Sequence, residues 1–136
     1  MGKDVLIVDD EPNIVISLQF LMQQAGFMVR VAADGMAAMS LIAERPPDLV
    51  LLDIMLPWLD GWEVCRRIRA NPAWQGMKVL LLTAKGRDVD VEKGLALGAD
   101  GYVTKPFSTR ELVQMVQKML VEETAVSPPP QENPQP

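Results

Sequence analysis

Short aliphatic runs recur along the chain, and a longer stretch of helical spacing follows each one. The runs are VLIV (5–8), FMVRV (27–31), DLVLL (48–52), KVLLL (78–82) and GYVT (101–104). Each is too short for a helix and is bounded by turn residues, so each reads as a strand, with Leu49 to Leu52 a buried one. Ile14, Leu18, Leu21 and Ala25 make one helical face, and Met36, Met39, Ile42 and Ala43 a second. Val64, Cys65 and Ile68 mark a third, and Val91, Leu95 and Leu97 a fourth. Leu112, Val113, Val116, Met119 and Leu120 mark a fifth, with Ser108 as N-cap and Glu111 three residues on. Five strand-then-helix units predict an α/β fold, a doubly wound parallel sheet with helices on both faces. The pattern ends near residue 122. SPPPQENPQP (127–136) has no apolar period, and its prolines fit neither a helix nor a central strand. The expected organisation is one domain over 1–122 and a Pro-rich disordered tail or linker over 123–136.

Composition removes several classes of function. The chain has 136 residues, 49% of them apolar, enough for one domain with a real core. No apolar run is long enough to span a membrane, and MGKDVLIVDD lacks the order of a signal peptide. A net charge of −5 without a basic cluster argues against direct nucleic-acid binding by this segment. The single cysteine, Cys65, allows no internal disulfide and fits a reducing compartment, so the expected location is the cytoplasm. Cys65 itself reads as a small apolar residue on the inner face of its helix. The methionines other than Met55 read as core filler.

The candidate chemistry lies where the strands end. Asp9 and Asp10 follow the first strand, Asp53 closes the third, Thr83 the fourth and Lys105 the fifth. All are C-terminal strand ends, the edge at which open parallel sheets bind ligands. Three carboxylates gathered there repel one another unless a cation intervenes, and an all-oxygen set of acids suits Mg²⁺. Such a site would accept a phosphoryl group. Asp53 would be the nucleophile, Lys105 would pair with one phosphoryl oxygen, Thr83 would hydrogen-bond another, and the small Ala84 would leave room.

VLIVDDEPN, PDLVLLDIMLPWLDG, VLLLTAKG and GADGYVTKPFSTREL stand in an order and spacing that resembles the receiver domain of two-component response regulators, the CheY-like family. The resemblance covers about residues 4–121. It implies a flavodoxin-like five-stranded sheet of order 2-1-3-4-5 with five helices. It also implies that Asp53 is the phosphoacceptor and that Asp9 and Asp10 hold Mg²⁺ together with Asp53 and the backbone carbonyl of Met55. Thr83 corresponds to the signalling hydroxyl, Lys105 to the phosphate-pairing lysine and Tyr102 to the rotating aromatic. The bond before Pro106 is expected to be cis. The implied partner is a sensor histidine kinase or a histidine phosphotransferase. The implied role is that of a signalling switch rather than an enzyme with a separate substrate, and phosphorylation would favour Thr83 swung inward with Tyr102 turned in behind it.

Some positions depart from the family pattern. Trp58 follows Pro57 where a small or polar residue is more usual, which leaves a lid, a partner contact and an idle turn aromatic open. Met55 and Lys85 stand two residues beyond Asp53 and Thr83, where receivers tune the lifetime of the phosphoryl group. Val15 and Ile16 lie off the apolar stripe of the first helix and would suit docking of the phosphodonor. For a homodimer through the fourth helix, fifth strand and fifth helix, Asp100 and Arg110 fit the family's charged pairs. Gly101, Gln114 and Met115 do not.

Three other readings compete. A flavodoxin-like FMN binder would need a Ser/Thr/Gly phosphate loop where this chain has DDEPN. A dehalogenase-type phosphatase normally carries D-x-D on its first strand, whereas here the acids are adjacent. An inactive receiver-like interaction module is the third, and the intact set of Asp10, Asp53, Thr83 and Lys105 counts against it.

Overall fold

The computed structural model describes residues 3–84 and 87–124, with side chains as far as residue 120. Lys85 and the segment from residue 125 onward lie outside the described residues. Strands β1 (Asp4–Val8), β2 (Met28–Ala32), β3 (Leu49–Asp53), β4 (Lys78–Ala84) and β5 (Gly101–Lys105) alternate with helices. The helices are α1 (Pro12–Gln24), α2 (Gly35–Glu44), α3 (Gly61–Ala70), α4 (Asp88–Ala96) and α5 (Thr109–Thr124). The strands pair in parallel in the order β2-β1-β3-β4-β5, the flavodoxin-like doubly wound topology.

Strand alternation divides the core into two layers. Val5, Ile7, Leu49, Leu51, Leu80 and Leu82 meet Leu18 and Met22 of α1 and Leu112, Val116 and Leu120 of α5. Leu6, Val8, Val50, Leu52, Val79 and Leu81 meet Ala38 and Ile42 of α2 and Val64, Cys65 and Ile68 of α3. Each large side chain so enclosed contributes roughly 1.5–3 kcal/mol. Local signals start the helices. Pro12 opens α1, Asp34 accepts from the Ala37 amide at 2.8 Å, and Asp60 accepts from the Glu63 amide at 2.9 Å. Ser108 caps α5 through the Glu111 amide at 3.3 Å.

Several expected faces are rotated or shifted. In α2 the buried residues are Gly35, Ala38 and Ile42, while Met36 and Ala43 face solvent. The first turn of the helix lies against the Leu59 backbone, where a Cβ at Gly35 would stand 2.1 Å from the Leu59 carbonyl oxygen, and the bulky Met36 turns outward. In α1 the buried positions are Leu18 and Met22, and Ala25 is already the C-cap. In α4 only Asp90 and Gly94 are buried, Leu95 is exposed, and Leu97 follows the helix. A Cβ at position 94 would stand 2.1 Å from Leu81 Cδ1, so α4 packs on the sheet through a glycine rather than through an apolar stripe. Met22 and Met77 fill the core, but Met28 and Met36 are exposed on the surface.

The same close approach occurs beside the end of β3. A Cβ at Gly61 would lie 2.4 Å from the Asp53 carbonyl oxygen and 2.7 Å from Ile54 Cα. Backbone cannot yield as a flexible side chain can. Gly61→Ala should therefore lose about 3 kcal/mol of stability, the upper part of the usual overpacking range. The check is a shift of the urea midpoint at unchanged m-value, and a loss under about 0.5 kcal/mol would show that the first turn of α3 moves freely off β3.

Candidate functional site

The sheet carries its acids to one edge. β1 delivers Asp9 one residue past its end, β3 closes on Asp53, β4 brings Thr83 and Ala84, and β5 closes on Lys105. The register sets Thr83 beside Thr104 and Ala84 beside Lys105. Carboxylate oxygens of Asp9, Asp10 and Asp53 all lie within 4.8 Å of one another. Asp9 and Asp53 are buried and Asp10 is exposed, which gives a cleft with a closed floor and an open mouth.

Backbone amides orient the two buried acids. The Glu11 amide donates to Asp9 Oδ1 at 2.9 Å, and the Met55 amide donates to Asp53 Oδ1 at 3.2 Å. Lys105 Nζ donates to Asp9 Oδ2 at 3.0 Å and stands 3.6 Å from Asp53 Oδ2. One ammonium group thus serves two buried carboxylates, with Asp10 close by. The imbalance is visible in the ionisation of Asp53, whose pKa is pushed up to about 6. Burial is the largest cause and the Asp9 charge the next, opposed by Lys105 and the Met55 amide, while Asp10 adds a smaller upward push. For Lys105, burial works against the charge. The Asp9 hydrogen bond and the Asp53, Asp9 and Glu11 charges outweigh it and raise its pKa.

Thr83 adds a second unmet demand. Its side chain is buried, and its hydroxyl oxygen has no hydrogen-bond partner among the described residues. A hydroxyl removed from water in this way costs about 1–3 kcal/mol until an acceptor arrives. The donor set therefore suits a small hard cation together with an oxygen-rich anion: three carboxylates for the first, an ammonium and a free hydroxyl for the second.

The remaining candidates are placed as follows. Ala84 is exposed beside the site, and Met55 is exposed on the loop after β3. Tyr102 is 44% exposed on β5. The Lys105–Pro106 bond is cis. Asp100 is committed inside its own chain. Its Oδ2 accepts from Arg69 Nη2 at 2.6 Å and from the Val79 amide at 2.8 Å, while the residue stays exposed. Arg110 is exposed. Cys65 is buried, burial raises its thiol pKa, and its sulfur faces the Leu97 carbonyl at 3.8 Å. Sequence reasoning missed Glu11 and Gly61. Glu11 orients Asp9 through its backbone amide, which leaves no trace in its side-chain type, and its charge adds to the acids around Lys105. The Asp60-Gly61 pair signals a turn but not the contact with Asp53.

A flavodoxin-like sheet with an acid-and-lysine cleft at its C-terminal edge is the architecture of a signalling receiver domain. The family model described as the response regulator receiver domain matches residues 5–117, so the chain belongs to that family. A putative response regulator from Chloroflexus aurantiacus is 36% identical, with a TM-score of 0.86 over 89% of this chain and 99% of that one. NtrX from Brucella abortus is 28% identical, with a TM-score of 0.84 over 91% of this chain but only 28% of that chain. The chemotaxis protein CheY4 of Vibrio cholerae is 29% identical, with a TM-score of 0.83 over 88% of this chain and all of that one. Among the described residues no helix is long and apolar enough to cross a membrane.

The crowding of Asp53 has a measurable consequence for metal-free protein. With its folded pKa raised from 3.8 to about 6, its contribution to stability is fully present below the lower value and is lost as pH rises through the higher. Asp53→Asn should therefore be more stable than wild type near neutral pH, by about 1 kcal/mol after allowance for solvent screening in the open cleft. The advantage should vanish near pH 4. Urea unfolding in chelator across this pH window checks it, and a variant less stable at neutral pH would contradict the direction.

Proposed function

We propose that this chain is a phosphoacceptor switch, in which Asp53 takes a phosphoryl group from a phosphohistidine of a sensor kinase or phosphotransferase. The observation that carries the reading is one lysine shared by two buried carboxylates in a three-acid cleft. In the transfer, an Asp53 oxygen forms the new bond to phosphorus. The phosphorus–nitrogen bond breaks, its electron pair returns to the donor imidazole, and that ring takes up a proton. Asp9, Asp10 and Asp53, with the Met55 carbonyl, would hold Mg²⁺. When bound, the ion would neutralise the crowded acids and draw charge from the phosphoryl oxygens. Lys105 pairs with one phosphoryl oxygen, and the unpartnered Thr83 hydroxyl donates to another. Tyr102 then turns into the space that Thr83 leaves, and the switched state is selected from a pre-existing population.

Exposed apolar surface supports docking of a protein donor. Ile16 and Phe20 are exposed on one side of α1, with Val15 half-buried beside them. Output through a homodimer of the α4, β5 and α5 faces would have to rely on Arg110 and on apolar contacts, since Asp100 is already paired. The proposed location is the cytoplasm. No nucleic-acid contact is assigned to this segment.

Incubation with Mg²⁺ and acetyl phosphate should add one phosphoryl group, measured by intact mass. The addition should disappear in Asp53→Ala and in the presence of chelator. Equal labelling of Asp53→Ala would place the acceptor elsewhere.

Met55 and Lys85 are proposed to set how long the phosphoryl group survives. Hydrolysis needs water in line with the phosphorus, opposite the Asp53 oxygen. A bulky Met55 would hinder that approach, and the Lys85 ammonium would pair with phosphoryl oxygens. Lys85→Ala should leave stability within about 0.5 kcal/mol and speed dephosphorylation by a few-fold to roughly tenfold. The decay of phosphorylated protein after donor removal is the measurement. An unchanged or slower decay would leave Lys85 no gating role.

A further inference from the structure

Helix α4 is held to the body of the protein in a different way from its neighbours. Each of the other helices buries at least one apolar side chain in the two core layers, whereas α4 buries only Asp90 and Gly94. Val89 is 76% exposed, and Leu95 also faces solvent. An element with so little apolar burial opens more readily than the rest of a domain. Its lateral anchor is polar and comes from α3. Trp62 Nε1 donates to the Asp90 carbonyl at 3.4 Å, and Lys93 Nζ stands 4.0 Å from the centre of the Trp62 ring. The Asp90 carboxylate is in turn paired with Arg87 at 2.5 Å.

Trp62 also sits next to the site. It follows Gly61, whose backbone lies against the Asp53 carbonyl, so the first turn of α3 is fixed to the end of β3. On the other side, α4 follows the strand that ends with Thr83 and Ala84. A tryptophan serving only as core filler would need neither its N–H nor its ring face directed at α4.

We infer that Trp62 is a latch: its indole N–H and ring face hold α4 against α3 in the unphosphorylated chain and so set how readily Asp53 is phosphorylated. The inference rests on the phosphoacceptor reading of Asp53. A contact that favours the resting position lowers the population of the competent one, and removing the contact raises it. Trp62 is here a positioning residue, since it acts through α4.

The test uses the full chain with Mg²⁺ and acetyl phosphate. Trp62→Phe removes the N–H, Lys93→Met removes the cation, and Lys93→Arg keeps it. Amide hydrogen exchange over residues 88–96 should quicken by about three- to tenfold in the first two variants and return to wild type in the third, with α1 and α5 unchanged. Labelling of Asp53 should quicken about two- to fivefold in the same two variants. Unchanged exchange in both would overturn the latch, and faster exchange without faster labelling would overturn its coupling to Asp53. If wild type takes no label, the phosphoacceptor reading falls instead, and the exchange of α4 alone then decides whether Trp62 holds the helix.

Discussion

Among the described residues, one ammonium group is shared between two buried carboxylates with a third acid beside them, and the character of this site depends on that crowding. Several acids elsewhere have arginines of their own: Asp4 has Arg30 and Arg45, Asp90 has Arg87, and Asp100 has Arg69. At the C-terminal edge of the sheet, Lys105 divides itself between Asp9 and Asp53, while Asp10 adds charge to the cleft. Unit charges about 4 Å apart interact by roughly 4 kcal/mol in a protein-like surface environment, so the unpaired excess is substantial. Burial first, and then this excess, raise the pKa of Asp53. Three acids so close together are a donor set that suits a small hard cation.

Such a concentration of like charge persists only on a rigid support. β3 is buried along its whole length and lies between β1 and β4, whose own apolar residues are packed on both faces. The acids cannot relax apart without moving the strands that carry them. Amides from Glu11 and Met55 fix the carboxylates further. The β4, α4 and β5 side of the site is held less firmly. The Thr83 hydroxyl is unpartnered among the described residues, Tyr102 is partly exposed, and α4 rests on a glycine and on polar contacts to Trp62. Packing is thus concentrated under the acids, and the weaker contacts lie on the β4, α4 and β5 side of the cleft.

Strand positions were legible in the chain because each strand is a compact aliphatic run with turn residues on both sides. Helix faces were less so. α3 and α5 present clear apolar stripes, and Val64, Cys65, Ile68, Leu112 and Val116 are all buried. In α2 and α4 the sequence pattern favoured Met36, Ala43 and Leu95, which face solvent. Those helices approach the body of the protein through glycine and alanine, and a small residue at a tight contact carries almost no hydrophobic signal. Asp90 is a related case, an acid that is buried because Arg87 accompanies it.

The sequence by itself determined the alternation of strands and helices, the residue types at the strand ends, and through them the acid, hydroxyl and lysine chemistry of the family. These are local properties: apolar periodicity, turn residues, and the side chain that follows each strand. Only the tertiary structure decided how those side chains share their charges. That Lys105 reaches Asp9 more closely than Asp53, that Asp100 is spent on Arg69, and that Trp62 spans from α3 to α4 are all outcomes of parallel register and helix packing. Each joins residues well separated in the chain. Coulombic and hydrogen-bonding energies depend on distances of a few ångströms, and such distances are set by how the layers pack.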